Sequence, residues 1–201
     1  MLQYTIKPTK IEERAEVAAF ISQGYFDDIF FHWVVPNDTD RLKIVTDYYI
    51  AYLSVEGCVS HIARTDDGEL VGATVWLPHD VDASVYEEID KCAGIYQPNF
   101  AEVADKSHDN EPTDWPFYQL VAVVTKKEKQ GLGIGAALLK HQLNHLDEIG
   151  IGTYLEASTP YHGGGVYGKF GYQFYSELMH FSDGIDLYPL YRPAGGFKDN
   201  D

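Results

Sequence analysis

The run Phe117-Tyr-Gln-Leu-Val-Ala-Val-Val124, with the glycine-rich turn after it, limits what this chain can fold into more than any other stretch. The run is almost continuously apolar, as in a strand buried on both faces of a central sheet. Beyond Thr125-Lys-Lys-Glu-Lys-Gln-Gly-Leu-Gly133, a helix is predicted from about Ile134 to Ile149, with Ala137, Leu138, His141, Leu143, Leu146 and Ile149 at helical spacing. Gly152 to Ala157 then reads as another strand. Strand, glycine turn, helix and strand follow the order of a parallel crossover unit.

Upstream, Gln3 to Lys7 alternates like an edge strand that stops at Pro8. Ile11 to Tyr25 places Ile11, Ala15, Ala18, Ala19 and Ser22 on one helical stripe. A second helix is predicted from Asp40 to Leu53, capped by Thr39 or Asp38, with Leu42, Val45, Tyr48, Tyr49 and Tyr52 on its buried side. The apolar stretch Phe30 to Asn37 between them reads mostly as core. Cys58 to Arg64 and Leu70 to Leu77 flank Thr65-Asp-Asp-Gly-Glu69, and Asp-Gly between strand-forming runs signals a hairpin.

Pro78 to Pro116 changes character. It holds ten carboxylates against Lys91 and Lys106, half of the net charge of -16. A short helix is predicted over Val85 to Ala93 and a long loop after it. Such loops inside compact domains are often functional, so the segment is read either as a lid or substrate wall or as a solvated insert. Downstream, Tyr161 to Phe170 is glycine-rich and partly helical, and Tyr172 to Phe181 and Ile185 to Tyr191 read as two antiparallel strands around Ser182-Asp-Gly184.

A length of 201 residues suits a single domain, 1–201, with an ordinary core. Cys58 and Cys92 form no Cys-x-x-Cys pair, which argues for an intracellular, cytoplasmic protein and against a zinc ribbon. No histidine and carboxylate cluster has metal-ligand spacing, so no metal is expected. The amino end has no apolar run behind a basic patch, and no stretch approaches the roughly 18 apolar residues that span a bilayer, so no membrane partner is expected. The acidic balance opposes nucleic-acid binding, which depends on basic side chains displacing counterions; it is read either as an attraction for a cationic substrate or as a solubilising charge excess with no role in recognition.

The turn Gln130-Gly131-Leu132-Gly133-Ile134-Gly135 gathers unpaired amides at the positive end of a helix and lets a ligand approach the main chain, so it is suited to a phosphate or pyrophosphate. A nucleotide P-loop would need Lys and Ser or Thr after the glycines, where Ala136 and Ala137 stand. The Rossmann spacing fails as well, because the glycines alternate. The residues instead resemble the signature of the GCN5-related N-acetyltransferase (GNAT) superfamily, Gln/Arg-x-x-Gly-x-Gly/Ala, met by Gln130, Gly133 and Gly135. Tyr154-Leu-Glu-Ala-Ser158 resembles the family's next strand, and Val166-Tyr-Gly-Lys-Phe-Gly-Tyr172 its Tyr-x-x-x-Gly-Phe segment, with Tyr167 and Gly171 in register. Thr125-Lys126-Lys127 departs from the family's Val-x-Pro.

The resemblance implies an α/β GNAT-like fold, with a mixed, mostly antiparallel central sheet flanked by helices. It implies acetyl-CoA as cosubstrate, with pyrophosphate on the amides of Gln130, Gly131, Leu132, Gly133, Ile134 and Gly135. The pantetheine arm would lie along Val123, Val124 and Thr125, in a slot where two parallel strands splay. Tyr167, which also touches the coenzyme, would be the donor to the leaving thiolate.

The family's frequent carboxylate on the strand Phe117 to Val124 is absent, and Glu156 leads as the base, ahead of His108, Asp114, Tyr118 and His162. His32, among aromatics, reads as a packed or pocket-lining histidine rather than a base. Phe31, Trp33, Trp115, Tyr118 and Tyr161 are the aromatic candidates to enclose an amine. The expected activity is acetylation of a primary amine on a small cationic or aromatic molecule. Two alternatives remain open: acetylation of a protein or peptide, and a catalytically degenerate module that binds acyl-CoA. A homodimer is also left open.

Overall fold

The computed structural model describes residues 2–82, 84–112, 116–159 and 165–196. Eight strands form one sheet in the order β1 (Tyr4–Pro8), β2 (Val59–Thr65), β3 (Leu70–Pro78), β4 (Phe117–Thr125), β5 (Gly152–Ala157), β8 (Asp186–Arg192) and β6 (Gln173–Phe174), while β7 (Met179–His180) also pairs with β8. Among the described residues only β4 and β5 run parallel, and the other pairs are antiparallel. The expected mixed, mostly antiparallel sheet between helices is therefore what the chain forms.

Strand alternation sends neighbouring side chains into two cores. On one face, Ile62, Ala73, Val75, Ala122 and Val124 pack against α1 (Arg14–Gly24) and α3 (Asp38–Leu53) through Val17, Ile21, Val45 and Tyr49. On the other, Ala63, Val71, Trp76 and Leu155 meet α6 (Ile134–Glu148) through Ile134, Leu138, Leu139 and Leu143. The short helix α2 (Ile29–Val34) lies between α1 and α3 and is capped by the Asp28 carboxylate, which accepts from Phe30 N–H at 2.9 Å.

Several elements differ from the sequence expectations. The buried stripe of α1 is Val17, Ala18, Ile21 and Ser22, and Ile11 is 75% exposed because the chain there is a single 3-10 turn leading into the helix. Helix α3 starts at Asp38 with Asn37 as its cap, since the Asn37 carboxamide oxygen accepts from both Thr39 and Asp40. Leu42 points outward there, and Arg41 takes an interior place by donating to the carbonyls of Val35 and Pro36.

The last strand pair is interrupted. The stretch expected as one strand from Tyr172 to Phe181 is two short pieces, both paired with β8.

The largest correction concerns 97–110, expected to be loop. It is helix α5 (Gln97–Asn110), which follows α4 (Ser84–Ala93) through one 3-10 turn. Pro98 sits in its first turn, where a missing N–H costs nothing. Only Phe100 of α5 is fully buried, so the apolar periodicity that betrays a core helix is weak. Side chains anchor it: Asn99 donates to the carbonyls of Trp33 and Val34, and the Glu102 carboxylate accepts from the N–H and hydroxyl of Ser182.

Candidate active site

Parallel pairing of β4 with β5 covers only Phe117, Tyr118 and Gln119 against Gly152, Thr153 and Tyr154. Beyond Gln119 the two strands part, while β4 keeps its pairing with β3 as far as Thr125. A bulge at this point leaves Val121 as an extra residue, because Val75 pairs with Ala122 and Trp76 with Leu120. The parting leaves main-chain groups of β4 without a strand partner. Tyrosine hydroxyls take their place: Tyr25 accepts from Val123 N–H at 3.1 Å and donates to Val123 C=O at 3.3 Å, and Tyr49 donates to Val121 C=O at 3.3 Å.

At the far end of β4 the chain makes a 3-10 turn over Lys127–Lys129 and enters the glycines. Gly131 and Gly133 have φ of +77° and +83°, and a Cβ at either would meet nothing within 4 Å, so both sit against open space. Gly133 is the residue before α6, and no side chain caps that helix. The first helical bond runs from Ala137 N–H to Gly133 C=O, so the amides ahead of it have no partner within the helix. Left-handed glycines, free amides and open space fit a pyrophosphate, and the splayed β4 edge fits an amide-bearing arm.

A cavity of about 460 Å³ runs from Gln130 and Thr125 along Val121 and Val123 to the end of β5. Glu156 reaches into it from β5. One Glu156 oxygen accepts from the Ser107 hydroxyl at 2.9 Å and the other from the Tyr154 hydroxyl at 3.1 Å. Burial raises the Glu156 carboxyl to about 7, against the pull of these two hydrogen bonds. Tyr167 lines the same cavity from the 3-10 turn Tyr167–Phe170. Burial, with the nearby Asp28 carboxylate, pushes its phenol up to about 12, so it keeps its proton throughout the neutral range. Asp28 also accepts from Ser158 at 2.9 Å, tying the start of α2 to the end of β5.

Residues 84–191, just over half of the chain, match the family described as the acetyltransferase (GNAT) domain. The chain belongs to the GNAT family. No curated protein sequence matches it. Among solved structures, a Corynebacterium glutamicum protein described as histone acetyltransferase HPA2 and related acetyltransferase is similar over all of both chains, at 19% identity and a TM-score of 0.70. An apo agmatine N-acetyltransferase mutant is similar at 13% identity and a TM-score of 0.67, over 94% of this chain and 99% of its own. The ribosomal-protein-S18-alanine N-acetyltransferase of Escherichia coli is similar at 14% identity and a TM-score of 0.55, over 99% of both chains. At these identities the likeness is one of fold. Membership of the family makes acetyl transfer the general activity.

In this GNAT chain Val123, Thr125, Gln130, Phe31, Glu156 and Tyr167 line the same cavity. Val124 instead points into the core beside α1, and the side chain of Ile134 is buried with Ala63 and Val71. Gly131, Leu132, Gly133 and Gly135 form the turn at the cavity's outer end, with Leu132 57% exposed.

Two aromatic candidates lie elsewhere. Trp33 packs on Phe181 with ring centroids 5.2 Å apart, and Tyr118 lies against the α6-side core, opposite Thr153 where β4 and β5 are still paired and no slot exists. His32 is exposed, not in the packed or pocket-lining place expected of it, because α2 turns Phe31, Trp33 and Val34 inward; its Nε2 lies 3.2 Å from the Arg41 guanidinium. His108 borders the cavity, 3.4 Å from the Glu111 carboxylate. Trp115, Tyr161, Asp114 and His162 lie outside the described residues.

Sequence reasoning missed most of the side-chain wall. Tyr48 and Tyr52 on α3 join hydroxyls at 3.0 Å, and Tyr86 of α4 adds a third phenol. From α5 come Phe100, Val103, Ala104, Ser107 and His108, with Glu111 just beyond. Their spacing of three and four was a legible helical signal, hidden because the stripe mixes apolar and polar residues. The described lining includes Asp28, Glu111 and Glu156 but no lysine or arginine.

Proposed function

We propose that this protein transfers the acetyl group of acetyl-CoA to a primary amine of a small molecule that is cationic or aromatic. The observation that carries the reading is the half-buried Glu156 carboxyl, held by the Ser107 and Tyr154 hydroxyls in one cavity with Tyr167 and the splayed edge of β4, where desolvation raises it to about 7. A base with that affinity for protons takes one from an ammonium group near neutral pH and releases it again.

The amides from Gly131 to Gly135 would hold pyrophosphate, without the expected help of the Gln130 N–H, which donates to Lys127 C=O at 3.3 Å, and the slot-side groups of Val121, Val123 and Thr125 would align the arm. When bound, acetyl-CoA supplies an acyl thioester. Glu156 accepts the amine proton on a carboxylate oxygen, and the Tyr167 hydroxyl holds a proton available to a nascent thiolate. The phenols and Phe100 shield the reacting centre from water, and the carboxylates with no balancing lysine or arginine favour a cation. The wall formed by α4 and α5 favours a small acceptor over a peptide lying in an open groove.

The test is a screen of small amines with acetyl-CoA in which free thiol is followed. Amine-dependent thiol release is expected. Tyr167→Phe should lower kcat about tenfold or more while the calorimetric affinity for CoA stays within about twofold. Release that is indifferent to every amine, or unchanged kcat in the variant, rejects the assignment.

A further inference from the structure

We propose that Ser107 is a positioning residue for Glu156, and that through it the seating of α5 prepares the site for proton transfer. The proposal rests on the acetyl-transfer reading above. Both Glu156 oxygens are engaged, but by different parts of the fold. Tyr154 lies two residues away on the same strand, buried among Phe117 and Tyr191, so its hydrogen bond belongs to β5 itself. Ser107 arrives on α5, whose place is held by Asn99 on the end of α2 and by Glu102 on Ser182. Its hydroxyl reaches Glu156 only with the helix seated.

The groups around Glu156 are Tyr154 on β5, Tyr48 and Tyr52 on α3, Tyr86 on α4, Ser107 on α5 and Glu111 just past it. The phenols are neutral and Glu111 opposes a second negative charge. With no lysine or arginine in the described lining, the two hydroxyl donors are the groups that favour the carboxylate form. Removing Ser107 therefore leaves Glu156 mostly protonated where it now works as a base.

The experiment compares Ser107→Ala and Ser107→Thr with the parent protein. The Glu156 carboxyl is titrated by infrared difference spectroscopy on resting protein without coenzyme or amine, with Glu156→Gln assigning the band. The pH profile of kcat/KM is recorded in parallel. Ser107→Ala should move both midpoints upward by about one pH unit, and Ser107→Thr should restore them. Unmoved midpoints in Ser107→Ala overturn the proposal. If Glu156→Gln turns over normally, the assignment of Glu156 as base fails, and the titration of the resting protein reports that failure separately from any change at Ser107.

Independently, we infer that Tyr25 is a placeholder for the coenzyme's arm. Its hydroxyl both accepts from and donates to Val123, the pattern a strand or an amide-bearing ligand would make in the slot. The ring stacks on Tyr49 at 6.1 Å inside the cavity wall. A ligand that pairs with Val123 must displace this hydroxyl, so the resting protein gains from Tyr25 what binding then loses. Tyr25→Phe should lower the melting temperature of the resting protein yet tighten acetyl-CoA binding by about threefold to tenfold in calorimetry. Unchanged or weaker binding by the variant overturns the inference. Parent protein that binds no acetyl-CoA overturns the coenzyme assignment itself.

Discussion

The two sides of the cavity are built from different material. The side made by β4, the glycine turn and the start of α6 presents main-chain amides and carbonyls, while α3, α4, α5 and β5 present side chains: phenols, Phe100, Ser107 and Glu156. Main-chain groups cannot be altered by most substitutions and suit the invariant reactant. Side chains can be exchanged singly, and in this protein they carry what would select the acceptor and move its proton. Lesions on one side should thus spare the function of the other.

Glu156→Gln should be the most severe lesion of the side-chain wall, lowering kcat/KM by about 10²–10⁴-fold with CoA affinity unchanged. In the parent protein, kcat/KM should fall about tenfold per unit as pH drops below about 7, because the base is then protonated. A pH-independent profile across 6–8 would break the contrast.

Gly133→Val is the matching lesion of the main-chain side. Its φ of +83° strains any β-branched residue, and the side chain would enter the space before the α6 amides. CoA affinity should fall roughly 10²-fold in calorimetry. Undiminished affinity would show that the turn is not the phosphate site.

Tyr86→Ala sharpens the division. The KM for the amine should rise about threefold to tenfold, with the calorimetric affinity for CoA unmoved. A parallel loss of CoA affinity would mean that the two sides are not separate.

The smallest effect is on stability. The folded Glu156 carboxyl titrates above its ordinary 4.5, so the folded state holds the proton more firmly than the unfolded chain. Stability from this group is present below about 4.5 and is lost as pH rises through about 7, in total by a few kcal/mol at most. Against the parent, Glu156→Gln should therefore show a smaller decline in melting temperature between pH 5 and 8. Identical slopes would place the carboxylate in a wetter setting.

The main-chain side was legible in advance. Gln130, Gly133 and Gly135 have a fixed local spacing, and a turn that needs left-handed backbone must write glycine into the sequence. Glu156 and Tyr167 were reachable too, one as an acid inside an apolar strand, the other in register with Gly171. The opposite wall was not. The tyrosines of α3 read as core packing, and α5 read as loop because its inward stripe mixes Phe100 and Val103 with Ser107, His108 and Glu111. Trp33 and Tyr118 looked equivalent to Phe31 as aromatic candidates, since composition does not say which way a ring faces.

By itself the order of residues determined the crossover unit, the hairpin, the glycine turn and membership of the GNAT family, all of which depend on neighbours within a few positions. The tertiary structure decided how far β4 and β5 stay paired, which rings face the slot, and that Ser107 meets Glu156 across 49 positions of chain. Local patterns record whether a face is buried. What it is buried against depends on packing between distant segments, and the chemistry of this site arises there.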